Sequence, residues 1–253
     1  MSNILVVSEG AVREKNYLEK CFKAIGKESP AIFSYCCNAY SLYNVLLKNY
    51  NDGVPVNLLD VLKECQTSTK QDLSILERPY TDIYLVFDLD YHAASTLEQA
   101  KTVFEYLLER FKESTEEGEI VIDYPMVESF RDISNKTMKY DKEHLEIKVS
   151  ESANYKCLSA SRGINISALT SKKDFECLIF DHIKRVFLLL NENDESYFSF
   201  LKCTQSRIFA AAQNKIENAK IPVLCSILLI PVLYYGKSFF EECRMAYSHH
   251  CSL

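Results

Sequence analysis

Apolar and polar positions follow two rhythms along the chain. Ile4–Val7 and Ile83–Phe87 are short unbroken apolar runs, rich in β-branched and aromatic residues. Runs of this length read as buried strands of a parallel sheet. Ala31-Ile-Phe-Ser-Tyr-Cys36 and the segment from Glu119 to Tyr124 read as two more strands. Between them the apolar spacing turns helical. Val12, Leu18, Cys21, Phe22 and Ile25 predict a helix over 11–25, stopped by Gly26. Asn38 is placed to cap a helix carrying Leu42, Val45, Leu46 and Leu47, and Val56 to Cys65 is again helical in period. Ser95 or Thr96 caps a long helix to about Lys112, with Ala100, Val103, Phe104, Leu107 and Leu108 along one side. The predicted order is β-α-β-α-β-α-β, an α/β parallel sheet with helices on its faces.

The second half changes character. Lys136 to Lys173 is mixed and basic, and reads as a connection with a phosphate-facing surface. Asp174 is the expected cap of a helix through Leu190, and Glu195 to Lys220 the expected second long helix. Ile221 to Tyr235 is strongly apolar but holds Pro222 and Pro231. A membrane helix needs about 20 apolar residues, so this shorter run reads as a buried core segment. A last helix follows Gly236. The expected division is an α/β domain over 1–135, with extra helical residues at about 38–66, and a mainly helical region over 136–253.

Composition narrows the class. The 253 residues are 47% hydrophobic and 25% charged, with six Gly and six Pro, which excludes fibrous and disordered chains. Ten cysteines without Cys-x-x-Cys spacing, behind no secretory leader, predict reduced thiols in the cytoplasm. The adjacent Cys36 and Cys37 read as core filler. The net charge of −6 argues against broad nonspecific nucleic-acid affinity. It is unevenly spread: residues 1–130 hold 12 basic and 21 acidic side chains, and residues 131–253 hold 17 and 14.

The candidate chemistry sits where strands run out. Asp88 and Asp90, two apart, point the same way from an extended chain. Two carboxylates held that close repel each other unless a cation lies between them, and the usual one is magnesium. The plainer reading is a loop with two solvated acids. Glu9 ends the first strand, and Glu14 falls on the first turn of the following helix. In open α/β sheets, ligands bind beyond the carboxyl ends of the strands. The expectation is therefore that Glu9, Glu14, Asp88 and Asp90 face one crevice. His92, two residues past the acidic pair, is either a further site residue or an ordinary loop residue.

An apolar strand ending Glu9-Gly10, followed later by one ending Asp88-x-Asp90, resembles the TOPRIM (topoisomerase–primase) fold. The longer form, Glu9-Gly-x-x-x-Glu14-x-x-Tyr17, is similar to the OLD-like and RloB-like TOPRIM nucleases of phage-defence systems. The resemblance covers roughly residues 1–130. It implies a magnesium- or manganese-dependent endonuclease, with one or two ions, that cleaves RNA such as tRNA, or DNA, during abortive infection. Glu9, Asp88, Asp90 and Glu14 would be both catalytic and metal-binding. Glu128, in Pro125-Met-Val-Glu128, would serve a second metal position, and Arg131 would touch phosphate. Lys136, Lys139, Lys172 and Lys173 are further candidates for nucleic-acid contact. Such proteins often work beside an ATPase on a separate chain, and no Walker motif occurs here. Segments 38–65 and 221–235 are the expected docking surfaces for that partner. The alternatives are a non-catalytic TOPRIM-like scaffold or sensor, and a haloacid-dehalogenase-type phosphatase, whose Asp-x-Asp would stand in the first strand.

Overall fold

The computed structural model describes residues 3–10, 12–50, 57–64, 73–89, 96–115, 117–134 and 140–250. Five strands form its main sheet: β1 (Ile4–Ser8), β2 (Ala31–Ser34), β3 (Asp82–Asp88), β4 (Lys112–Glu113) and β5 (Gly118–Asp123), in the order β2-β1-β3-β5-β4. β1 lies parallel to β2 and to β3, with Leu5 opposite Ala31 and Ile83. The expected α/β class and mostly parallel sheet are therefore present. The short β4, within the segment read as helix end and loop, pairs antiparallel with β5.

The unbroken apolar runs explain the centre of the sheet. Ile4, Leu5, Val6, Leu85, Val86 and Phe87 are all buried, as expected for strands covered on both faces. The chain divides into two compact units. The first is residues 1–19 and 28–121, and the second is residues 20–27 and 122–253.

In the first unit, β1 leads into α1 (Arg13–Ala24), whose last turn belongs to the second unit. Gly26, at φ 71°, ends α1: Lys27 N–H donates to Phe22 O (2.9 Å) and Gly26 N–H to Lys23 O (3.2 Å). That left-handed closure is open to glycine at no steric cost. Asn38 caps α2 (Ala39–Asn49), accepting Ser41 N–H at 3.0 Å. α3 (Leu58–Glu64) follows the predicted period, and Thr96 caps α4 (Leu97–Arg110). Cys36 corrects the expected core-filler role: it is exposed, at φ 57°, and Cys37 is half-buried. No disulfide joins any of the eight described cysteines.

The second unit holds α5 (Lys142–Leu145), β6 (Glu146–Lys148), α6 (Tyr155–Arg162), α7 (Lys172–Leu189), α8 (Tyr197–Leu201), α9 (Gln205–Glu217), β7 (Lys220–Pro222) and α10 (Ile230–His250). β6 and β7 form an antiparallel pair, so the stretch read as a connection carries structure of its own. Ser171, not Asp174, caps α7. Asp174 instead accepts the Ser171 N–H at 2.8 Å, closing a capping box. The single long helix expected over 195–220 is two helices, because Thr204 starts a new one by accepting Arg207 N–H. The 221–235 segment is core: Ile221, Val223, Leu224, Ile227, Leu229, Ile230 and Val232 are buried. Its last three residues, Leu233, Tyr234 and Tyr235, are half-buried. Pro231 sits in the first turn of α10, where its missing N–H costs little. Gly236, at φ 71° and ψ −153°, interrupts that helix. Among the described residues, no helix is long and apolar enough to cross a membrane.

Candidate strand-tip acid site

The first unit gathers acids where β1 and β3 end. Beyond the last paired residue of β1, Glu9 N–H donates to Val86 O at 3.2 Å, and on the other side Tyr35 N–H donates to Ser8 O at 2.8 Å. Those bonds hold the Glu9 backbone in line with its neighbours as the strand runs out. The half-buried Asp88 closes β3, and its N–H donates to Glu9 Oε2 at 3.4 Å. A carboxylate of one strand tip thus reaches the backbone of the next.

Gly10 and Glu14 form the second part. Ser8 Oγ donates to Gly10 O at 2.9 Å, folding the chain back directly after β1. The Glu14 carboxylate lies over Gly10, so close that a Cβ at position 10 would stand 2.6 Å from Glu14 Oε1. Any larger residue there would push that carboxylate aside. Glu14 is 7% exposed, and its Oε2 has no hydrogen-bond partner among the described residues. A buried carboxylate oxygen left unpartnered is costly unless something positive approaches it.

The structure brings Glu9, Asp88 and Glu14 to one end of the sheet. Asp90 and His92 lie outside the described residues, as do Lys136 and Lys139. Among the described residues, no three His, Cys, Asp or Glu side chains gather closely enough to hold a metal ion. Oxygen donors of this kind suit a hard divalent cation. The unpartnered, buried Glu14 oxygen is a donor of that kind.

The other sequence candidates belong to the second unit. Glu128 is buried in a single turn at Val127–Arg131. Arg131 turns toward α6, with Nε donating to Ser159 Oγ (3.2 Å) and Nη2 to Lys156 O (2.8 Å). Lys172 is paired with Glu176 (3.3 Å) and Glu242 (2.8 Å), and the hydrogen bond to Glu242 raises its pKa. Lys173 is exposed.

Sequence reasoning missed a buried ionic network in the second unit. Arg185, 3% exposed, donates to Asp181 Oδ2 (2.9 Å), His144 O (2.9 Å), Val223 O (3.0 Å) and Asp132 O (2.8 Å). Asp132, fully buried, accepts both Nε and Nη2 of Arg162 (2.8 and 2.6 Å) and the hydroxyl of Tyr155 (2.8 Å). Burial pushes the Tyr155 phenol well above its usual pKa, and the Asp132 charge adds to that. Burial also raises the Asp181 pKa, against the pull of Arg185. His182 is driven well below its usual pKa by burial and by Arg185; its Nδ1 accepts Cys225 N–H at 3.0 Å. His144 bonds Asp141 through Nδ1, and its buried Nε2 lies 3.9 Å from Asp132. The one sequence signal was Asp181 and Arg185, an opposite-charge pair four residues apart within the apolar part of α7.

Compared with models of protein families, with curated proteins and with solved structures, the chain finds no match.

Proposed function

We propose that this chain is a TOPRIM-like, magnesium-dependent nuclease that cleaves nucleic-acid phosphodiester bonds. The observation that carries the reading is the set of acids at the ends of β1 and β3: Glu9 bonded to the Asp88 backbone, and Glu14 buried with an unpartnered oxygen. Phosphodiesters resist attack because their charge repels nucleophiles. A bound divalent cation supplies charge neutralisation and a Lewis acid for the attacking or leaving oxygen. Glu9, Asp88, Asp90 and Glu14 would hold it. Glu9, the most central of these in the β2-β1-β3 order, would also handle the proton of the attacking water or leaving hydroxyl. Gly10 serves by leaving room for the Glu14 carboxylate. By the same resemblance, the enzyme acts in antiphage defence in the cytoplasm under the control of a separate ATPase. The inserted α2–α3 region is a candidate surface for that partner.

The test is incubation of pure protein with labelled tRNA, single-stranded RNA and plasmid, with and without magnesium. Magnesium-dependent cleavage that disappears in Asp88→Asn and Asp90→Asn is the expected result. Cleavage surviving in either variant at limiting magnesium would remove the assignment. A non-catalytic scaffold is the second reading. It is favoured by the lack of a three-ligand cluster among the described residues, and it predicts no cleavage of any of the three substrates.

A further inference from the structure

The second unit contains a cavity of about 270 Å³ bounded by α5, β6, β7, α7 and α9. Its wall is apolar, with Leu188, Leu189 and Pro222 among its residues, and Arg185 also lines it. An arginine has five N–H donors. Arg185 spends one on Asp181, two on the carbonyls of His144 and Val223 and one on that of Asp132, which leaves one. A 3% exposed guanidinium with a spare donor, set in an apolar wall, is the kind of polar group that orients a small ligand in a mostly apolar pocket.

The remaining charged lining carries a positive surplus. Lys142 and Lys215 line the cavity with Glu146. Glu146 already carries two ammonium groups, Lys215 at 3.2 Å and the still closer Lys220, and the bond to Lys220 lowers its pKa. Lys142 makes no hydrogen bond or ion pair among the described residues. One carboxylate therefore faces three cationic side chains in the lining, and Asp181 offsets only Arg185. The cavity has a positive surplus over an apolar body.

We propose that this cavity binds a small organic anion: one carboxylate, sulfonate or phosphate-type head on a compact apolar body. The head pairs with Lys142 and Lys215 and takes the spare Arg185 N–H, and the body packs on the leucines of α7. The inference stands apart from the strand-tip acids and needs neither magnesium nor nuclease activity.

Anilinonaphthalene sulfonate has this chemistry and fluoresces when its body leaves water. Titration of the full chain with it should saturate at one molecule per chain. Its uncharged parent, anilinonaphthalene, should bind about tenfold more weakly, the loss of a charge-assisted contact. Lys142→Glu should weaken the sulfonate by about fivefold, the upper end for an exposed ion pair, and leave the uncharged parent unchanged. Leu189→Trp, which fills the cavity, should abolish both. Circular dichroism confirms that each variant is folded, and Lys142→Glu carries the test if Leu189→Trp is not. Equal affinity for the charged and uncharged probes, unchanged sulfonate binding in Lys142→Glu, non-saturating binding, or no binding would each overturn the proposal.

Discussion

Replacing Glu14 with Gln tests the strand-tip site without requiring a substrate. Glu14 is 7% exposed, and its Oε2 has no hydrogen-bond partner among the described residues. Without metal, an unsatisfied buried polar atom costs about 1–3 kcal/mol. An amide keeps the shape and removes the charge. Gln still leaves a polar atom unpartnered there, so what is recovered is the added cost of burying the charge, about 1–2 kcal/mol. For a chain of this length each kcal/mol moves the thermal midpoint by about 2–4 °C, so Glu14→Gln in EDTA should melt about 2–8 °C higher than wild type. Magnesium should reverse the order. At a concentration of about 100 Kd it adds about 2.7 kcal/mol to a protein that binds it, raising the wild-type midpoint by about 5–10 °C. The variant, short of one ligand, should gain far less. Scanning calorimetry or dye-monitored melting in EDTA and in a magnesium series reads both effects. A variant less stable than wild type in EDTA, or equal magnesium shifts in the two proteins, would refute the reasoning.

Three further outcomes are expected. Burial, reinforced by Glu113 and Asp82, raises the pKa of Glu119 to about 7. A carboxyl with a raised folded-state pKa stabilises fully below its unfolded pKa, and that stability is lost as pH rises through about 7. Urea melts of Glu119→Gln should therefore show a flatter loss of stability between about pH 4.5 and 7 than wild type, and greater stability than wild type at pH 8. Arg185→Leu strips Asp181 of its cation and three carbonyls of their donor; it should cost about 3–5 kcal/mol in denaturant unfolding, and a loss under 1 kcal/mol would mean water replaces the guanidinium. If nucleic acid binds the basic half, Lys173→Glu should lower affinity and reduce the slope of log K against log salt by about one, measured by fluorescence anisotropy; Lys172→Glu should do less, because Glu176 and Glu242 already hold Lys172.

The sequence by itself determined the elements whose signals are local. The unbroken apolar runs 4–7 and 83–87 read as strands buried on both faces, and they are the centre of the sheet. Asn38, Thr96 and Gly26 mark their helix ends because capping is chemistry between residues a few positions apart. That Glu9 and Asp88 fall at strand tips followed from where those runs stop. Tertiary structure decided what depends on residues far apart in the chain. Parallel pairing of β1 with β3 brings the Asp88 N–H to Glu9, across 79 positions. Glu14 lies buried over Gly10, where a Cβ would meet its carboxylate. Arg185, an ordinary helix residue in sequence, is buried because carbonyls from Asp132, His144 and Val223 converge on it. Cys36 reads as core by composition, but it lies just past the end of β2, where no strand remains to cover it. A hydrophobic pattern records which side chains need burial; which distant polar groups will meet is set by the packing that satisfies them.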